Sequence, residues 1–143
     1  IYTRIYMIKI YTDGACSGNP GRGGWAAIII DGEKIEKISG SSENTTNNRM
    51  ELIAVISALK FVNSKKIELY TDSKYTKDGI EKWIFNWKKN GWQTANKQEV
   101  KNIDLWKDLD ELNQEKTVQW NWVKGHADDK YNNMADELAR SKI

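Results

Sequence analysis

Residues 7–14 read Met-Ile-Lys-Ile-Tyr-Thr-Asp-Gly, and residues 66–73 read Lys-Ile-Glu-Leu-Tyr-Thr-Asp-Ser. In each stretch Ile, Leu and Tyr run into an acid and a turn-forming residue, the pattern of a strand that stops. The echo is confined to Tyr-Thr-Asp; the flanks differ and there is no internal repeat. If the two strands are parallel neighbours, their ends lie about 4.8 Å apart. Asp13 and Asp72 then face each other at the carboxyl edge of the sheet, where ligands of α/β folds bind. Two bare carboxylates that close repel, so one takes a proton or a cation sits between them. Each Asp alone also fits an ordinary turn residue.

Working outward, residues 5–13 are expected as the first strand. Residues 14–24 hold five of the ten glycines and the only proline, Pro20, and read as a tight loop. Trp25 to Ile30 reads as a buried strand, Asp31-Gly32 as a hairpin turn, and Glu33 to Ser39 as the return strand. Residues 40–48 read as a loop ending in a helix cap. Asn48 to Val62 reads as a helix whose inner face is Met50, Ile53, Ala54, Ser57, Ala58 and Phe61. Residues 74–113 are helical in pattern, broken at Gly79 and at Asn90-Gly91. Thr117 to Val123 alternates as a strand, and residues 130–142 form a last helix with Met134, Ala135, Leu138 and Ala139 inward. The order β-β-β-α-β-α-α-α-β-α predicts an α/β fold, a mixed sheet with helices on its faces.

The 143 residues are one domain's worth and are expected to form a single domain over 1–143. Two readings of Ile1 to Tyr6 stand open: upstream or vector-derived sequence with Met7 as the natural start, or part of a chain that starts earlier. A chain this long buries roughly two-thirds of its unfolded surface, enough for a core without staples. Lys+Arg 22 against Asp+Glu 20 gives a net charge of +2, which excludes a polycation or an acidic tail. The longest apolar run, Trp25 to Ile30, is far short of a membrane-spanning helix. The single cysteine, Cys16, forbids an internal disulfide and fits a reducing compartment. A cytoplasmic monomer is expected. Seven Trp stand beside an excess of Lys over Arg. Trp25, Trp106 and Trp120 read as core.

Two further acids accompany the pair. Glu51 lies one turn into the first long helix, and it also fits a relaxed capping box with Asn48. Asp136 borders the apolar stripe of the last helix, and Arg140 is available to it as an i, i+4 partner. His126 is the only histidine, and its ordinary titration range suits proton transfer at neutral pH. With no Cys/His cluster, zinc is excluded. Hard cations bound by carboxylate oxygens fit instead.

Five motifs occur in order: Thr-Asp-Gly-Ala-Cys-Ser-Gly-Asn-Pro-Gly at 12–21, Asn-Asn-Arg-Met-Glu at 47–51, Thr-Asp-Ser at 71–73, Trp-Val-Lys-Gly-His at 122–126 and Ala-Asp-Glu-Leu-Ala at 135–139. Together they resemble type 1 ribonuclease H, the bacterial ribonuclease HI group, from Met7 to the C-terminus. The resemblance implies a ribonuclease H-like fold: a five-stranded mixed sheet of order 3-2-1-4-5, strand 2 antiparallel, with helices on both faces. It implies hydrolysis of the RNA strand of RNA·DNA hybrids, leaving 5′-phosphate and 3′-hydroxyl ends. Asp13, Glu51, Asp72 and Asp136 fall on the family's catalytic, metal-binding carboxylates. Two Mg²⁺, with Mn²⁺ a substitute, would activate water and stabilise the leaving oxygen. By resemblance Asp13 bridges both ions, Asp136 completes the water-activating site, and Glu51 and Asp72 complete the other. His126 matches an auxiliary loop histidine.

The resemblance also assigns the partner, an RNA·DNA hybrid duplex. Cys16, Asn19, Asn47 and Asn48 would read the RNA strand, where an amide suits the donor-and-acceptor 2′-hydroxyl. Thr46 and Asn102 would form a DNA phosphate pocket, and Asn44 stands there where relatives often carry Arg. Trp83, Trp87, Lys88 and Lys89 lie in a Lys- and Trp-rich segment over 81–101 that would grip DNA by stacking and phosphate neutralisation. A junction resolvase of the same fold, a ribonuclease H domain of a reverse transcriptase and a non-catalytic hybrid-binding module are the alternative readings.

Overall fold

A computed structural model describes residues 7–124 and 129–143. Five strands form one mixed sheet: β1 (Ile8–Ser17), β2 (Gly21–Asp31), β3 (Lys34–Thr45), β4 (Lys66–Thr71) and β5 (Thr117–Trp122). Their order is β3-β2-β1-β4-β5. β2 is antiparallel to both neighbours, whereas β1–β4 and β4–β5 are parallel. The expected topology is therefore found. The helices are α1 (Asn47–Phe61), α2 (Lys74–Asp78), α3 (Ile84–Lys89), α4 (Ile103–Glu115) and α5 (Lys130–Ser141). A π-helical turn, Gly79–Trp83, joins α2 to α3. No described helix is long and apolar enough to cross a membrane.

Alternation along the strands separates two apolar layers. Ile8 and Ile10 of β1 face the larger core with Leu52, Leu59, Ile67, Leu69, Trp106 and Leu109. Tyr11 points the other way, to a smaller cluster with Ile28 and Ala135 under α5. The hairpin expected at Asp31-Gly32 forms, with Gly32 at φ 63° closing the turn.

The structure corrects several boundaries. Residues 14–24 are mostly strand, not loop: Gly14 pairs with Trp25, Cys16 with Gly23 and Ser17 with Arg22. Gly14, Gly23 and Gly24 serve close helix approach, while Gly18, at φ 87°, sits in the turn between β1 and β2. A Cβ on Gly14 would lie 2.5 Å from the Glu51 backbone nitrogen, and one on Gly24 would strike the Ala139 carbonyl of α5. β3 likewise runs on to Thr45, through most of the expected loop at 40–48. In α1 the expected single inner face is incomplete. Leu52, Val55, Ile56 and Leu59 are also buried, while Phe61 is 47% exposed. The helix is covered on one side by the sheet and on another by α4, so one stripe does not describe it.

Gly79 does not break the helix. Its missing side chain makes room for the Trp106 ring, and the chain continues through the π turn. The break comes later, over 90–102, where Gly91, Trp92, Lys97 and Asn102 all have positive φ. Of the tryptophans read as core, Trp106 is fully buried. Trp25 and Trp120 are only half-buried. Trp25 lies against Gly40, and Trp120 donates its ring N–H to Asn113 Oδ1 at 3.0 Å.

Gly79→Ala is expected to destabilise the protein by about 1–3 kcal/mol through overpacking against Trp106. Thermal melting measures this, and a midpoint within about 1 °C of the parent contradicts the close approach.

Candidate active site

The register of β1 and β4 sets the site. Tyr11 pairs with Tyr70 and Thr12 with Thr71. β4 ends there, so Asp72 follows as the first residue beyond the strand. Asp13 is not at a strand end as expected, because its other neighbour, β2, carries β1 on to Ser17. The acid therefore projects from a held strand into space that β4 has vacated. Glu51 reaches the same point from α1. The cap of that helix is Thr46, whose hydroxyl accepts from the Arg49 N–H at 3.3 Å. Capping thus leaves the Glu51 carboxylate unused, unlike the capping-box alternative.

Oxygens of Asp13, Glu51 and Asp72 lie within 4.8 Å of one another, a group that could hold a metal ion. Asp13 and Glu51 are buried, and Asp72 is half-buried. Glu51 Oε1 and Asp72 Oδ1 have no hydrogen-bond partner among the described residues. Burial pushes the Asp13 carboxyl up to about 8, helped by the charge of Asp72 and by contact with Asp136. Burial also raises Glu51 well above the carboxylate range, with Asp13 and Asp72 adding to it. Asp136 of α5 lines the same cleft and also forms the available ion pair, Oδ2 to Arg140 at 2.9 Å. All four predicted carboxylates are thus brought together. His126 lies outside the described residues.

Cys16, Asn47 and Asn48 line this cleft. Asn19 stands beside them, its Oδ1 accepting from the Asn47 N–H at 3.2 Å. Thr46 and Asn102 meet around Arg49, which sequence reasoning left without a role. The guanidinium donates to Asn102 Oδ1 at 3.2 Å and pairs with both Asp104 oxygens, at 3.1 and 2.8 Å. Asn102 also donates to the Tyr75 hydroxyl at 3.1 Å, as does the Trp106 ring N–H. Tyr75 lines the carboxylate cleft and packs on Trp83, ring centroids 5.7 Å apart. Trp83 is 38% exposed; Trp87 is half-buried edge-on against Trp106. Both line a separate groove with Asn86, Asn90 and Thr94. Lys88 pairs with Asp110 at 3.2 Å, while Lys89 is exposed. Arg49 had one available signal, its place between Asn48 and Glu51. The role of Tyr75 depends on contacts distant in sequence.

Residues 6–143 match the family model described as RNase H. A ribonuclease H of Wolbachia sp. subsp. Drosophila simulans (strain wRi) is 58% identical over 137 residues, covering 95% of this chain and 94% of the relative. A ribonuclease H of Acetivibrio thermocellus is 52% identical over 138 residues, covering 95% of this chain and 94% of that one. Among solved structures, LC9-RNase H1, a type 1 RNase H with the type 2 active-site motif, is similar with a TM-score of 0.85 and 28% identity. The likeness covers 99% of this chain and 74% of that chain.

The raised Asp13 carboxyl gives a pH prediction for the protein in EDTA. The unfolded chain releases this proton near its ordinary value, 3.8, whereas the folded chain keeps it to about 8. The folded state binds more protons across that window, so stability falls as pH rises from about 4 to about 8. Asp13→Asn removes this cost, and its melting temperature should exceed the parent's by several degrees at pH 8 and by much less at pH 4. A pH-independent difference between the two proteins contradicts the assignment.

Proposed function

This chain belongs to the RNase H family, and we propose that it is an endoribonuclease cutting the RNA strand of RNA·DNA hybrids with two Mg²⁺. Mn²⁺ substitutes by the same ligand chemistry. The observation that carries the reading is the cluster of Asp13, Glu51 and Asp72 within 4.8 Å, with two buried oxygens lacking partners. A carboxylate set so crowded and so poorly hydrogen-bonded fits hard divalent cations. The chemistry supplied by bound metal ions is activation of water and stabilisation of the leaving 3′-oxygen.

The chain's own residues do the rest. Asp13, Glu51, Asp72 and Asp136 would hold the cations beside the end of β4. Held in β1 and α1, Asp13 and Glu51 are pre-set on rigid elements. Cys16, Asn47 and Asn48 line the cleft with Asn19 beside them; the three asparagine amides and the Cys16 backbone meet 2′-hydroxyls. In the groove of Trp83 and Trp87, rings take the DNA sugars, with Lys88, Lys89, Thr46 and Asn102 for its phosphates. His126 acts as an auxiliary proton carrier. The product ends are 5′-phosphate and 3′-hydroxyl, and the enzyme works as a cytoplasmic monomer. This amide set, together with the tryptophan groove, favours the hybrid over a DNA junction as substrate.

The test compares hybrid, double-stranded RNA, double-stranded DNA and single strands with Mg²⁺, Mn²⁺ and EDTA. Only the RNA of the hybrid should be cut, and only with metal. Cleavage of double-stranded DNA at the hybrid's rate sinks this reading in favour of a related nuclease. Asp72→Asn should lose at least about 100-fold in Mg²⁺-dependent rate; an unchanged rate removes Asp72 from the metal site.

A further inference from the structure

Trp122 is 39% exposed, yet its ring is hydrogen-bonded to the fold. Its Nε1–H donates to the Asp72 backbone carbonyl at 3.1 Å, seating the indole against the end of β4. The Lys74 ammonium lies over that ring, 4.7 Å from the centroid. Lys74 lines the same cleft as Asp13, Glu51 and Asp72. Among the described residues it nonetheless forms no ion pair, whereas the nearby Lys77, Lys82 and Lys88 each sit on a carboxylate. An aromatic face attracts a cation without neutralising it. Trp122 therefore keeps a full positive charge on the rim of an acidic cleft and off the acids themselves.

We propose that Lys74 is a substrate-binding residue whose ammonium takes an RNA-strand phosphate next to the scissile one, with Trp122 as its resting seat. This rests on the hybrid-cleaving reading above. The strand that is cut is the strand whose phosphate meets the carboxylates, so a cation on that cleft's rim meets the same backbone. Lysine suits the task, being a point charge with rotatable donors on a flexible stem. It can leave the ring for a phosphate without unfolding anything, because Lys74 is exposed.

Binding of hybrid is measured with Ca²⁺ in place of Mg²⁺, from 50 to 200 mM KCl. Loss of one phosphate contact lowers the salt slope by about 0.9, so over this range the parent should lose about three-fold more affinity than Lys74→Met. Lys74→Arg should keep the parental slope. A neutral methylphosphonate placed in the RNA strand beside the cleavage position, on either side in turn, should abolish the difference between parent and Lys74→Met at one of the two. Equal slopes for parent and Lys74→Met, an Arg variant that behaves like Met, or a difference that survives both neutralised positions overturns the assignment. Cleavage by the parent in Mg²⁺ is run alongside. If the parent does not cut hybrid, the underlying reading fails; if it cuts and the slopes are equal, only the role of Lys74 fails.

Discussion

The pairing of Thr12 with Thr71 across two parallel strands decides where charge accumulates in this molecule. One residue further along each strand is an aspartate, and β4 stops just before its own. Gly14 then lets α1 descend close enough to deliver Glu51, since any side chain there would strike the Glu51 backbone. The outcome is several carboxylates in a space with too few donors for them. Such a cluster works against folding. The apolar layer beneath α1 offsets it, with Ile10, Leu52, Leu69 and Trp106 buried close by in the same fold. A bound metal ion would supply the missing counter-charge, which would make the strain a means of binding rather than a defect.

Around that cluster, side chains that brace the fold also border the cleft. Arg49 ties the start of α1 to α4 through Asp104 and Asn102. Tyr75 accepts from Asn102 and Trp106 while lining the cleft, and its ring meets Trp83. The carboxylate cleft and the tryptophan groove are thus joined by one packed aromatic chain rather than hung on separate loops. The near-neutral total of +2 conceals this layout: acids converge in one cleft beside the end of β4, while lysines crowd the 81–101 segment.

Much of this was legible in the sequence because it depends on order and parity. The repeated Tyr-Thr-Asp gave the strand register, and five ordered motifs gave the topology and the four acids. The boundaries were less legible. Glycine at 14, 23 and 24 reads locally as a turn, but pairing of β1 with β2 makes most of that stretch strand, and α1 and α5 pack against its glycines. In α1, a helix enclosed on two sides carries no single stripe, so Phe61 was misplaced inside. Lys74 and Trp122 could not be paired from sequence, since neither the cation seat nor the Asp72 carbonyl contact has a spacing signature.

On the proposed function, crowded carboxylates hold protons until divalent cations replace them. Calorimetric titration of Mg²⁺ in buffers of different ionisation enthalpy measures protons released per ion bound. Release should be clear at pH 7, where the Asp13 carboxyl, raised to about 8, still holds its proton, and should fade by pH 9. Binding at pH 7 with no proton release, or with release unchanged in Asp13→Asn, would contradict this exchange of protons for metal.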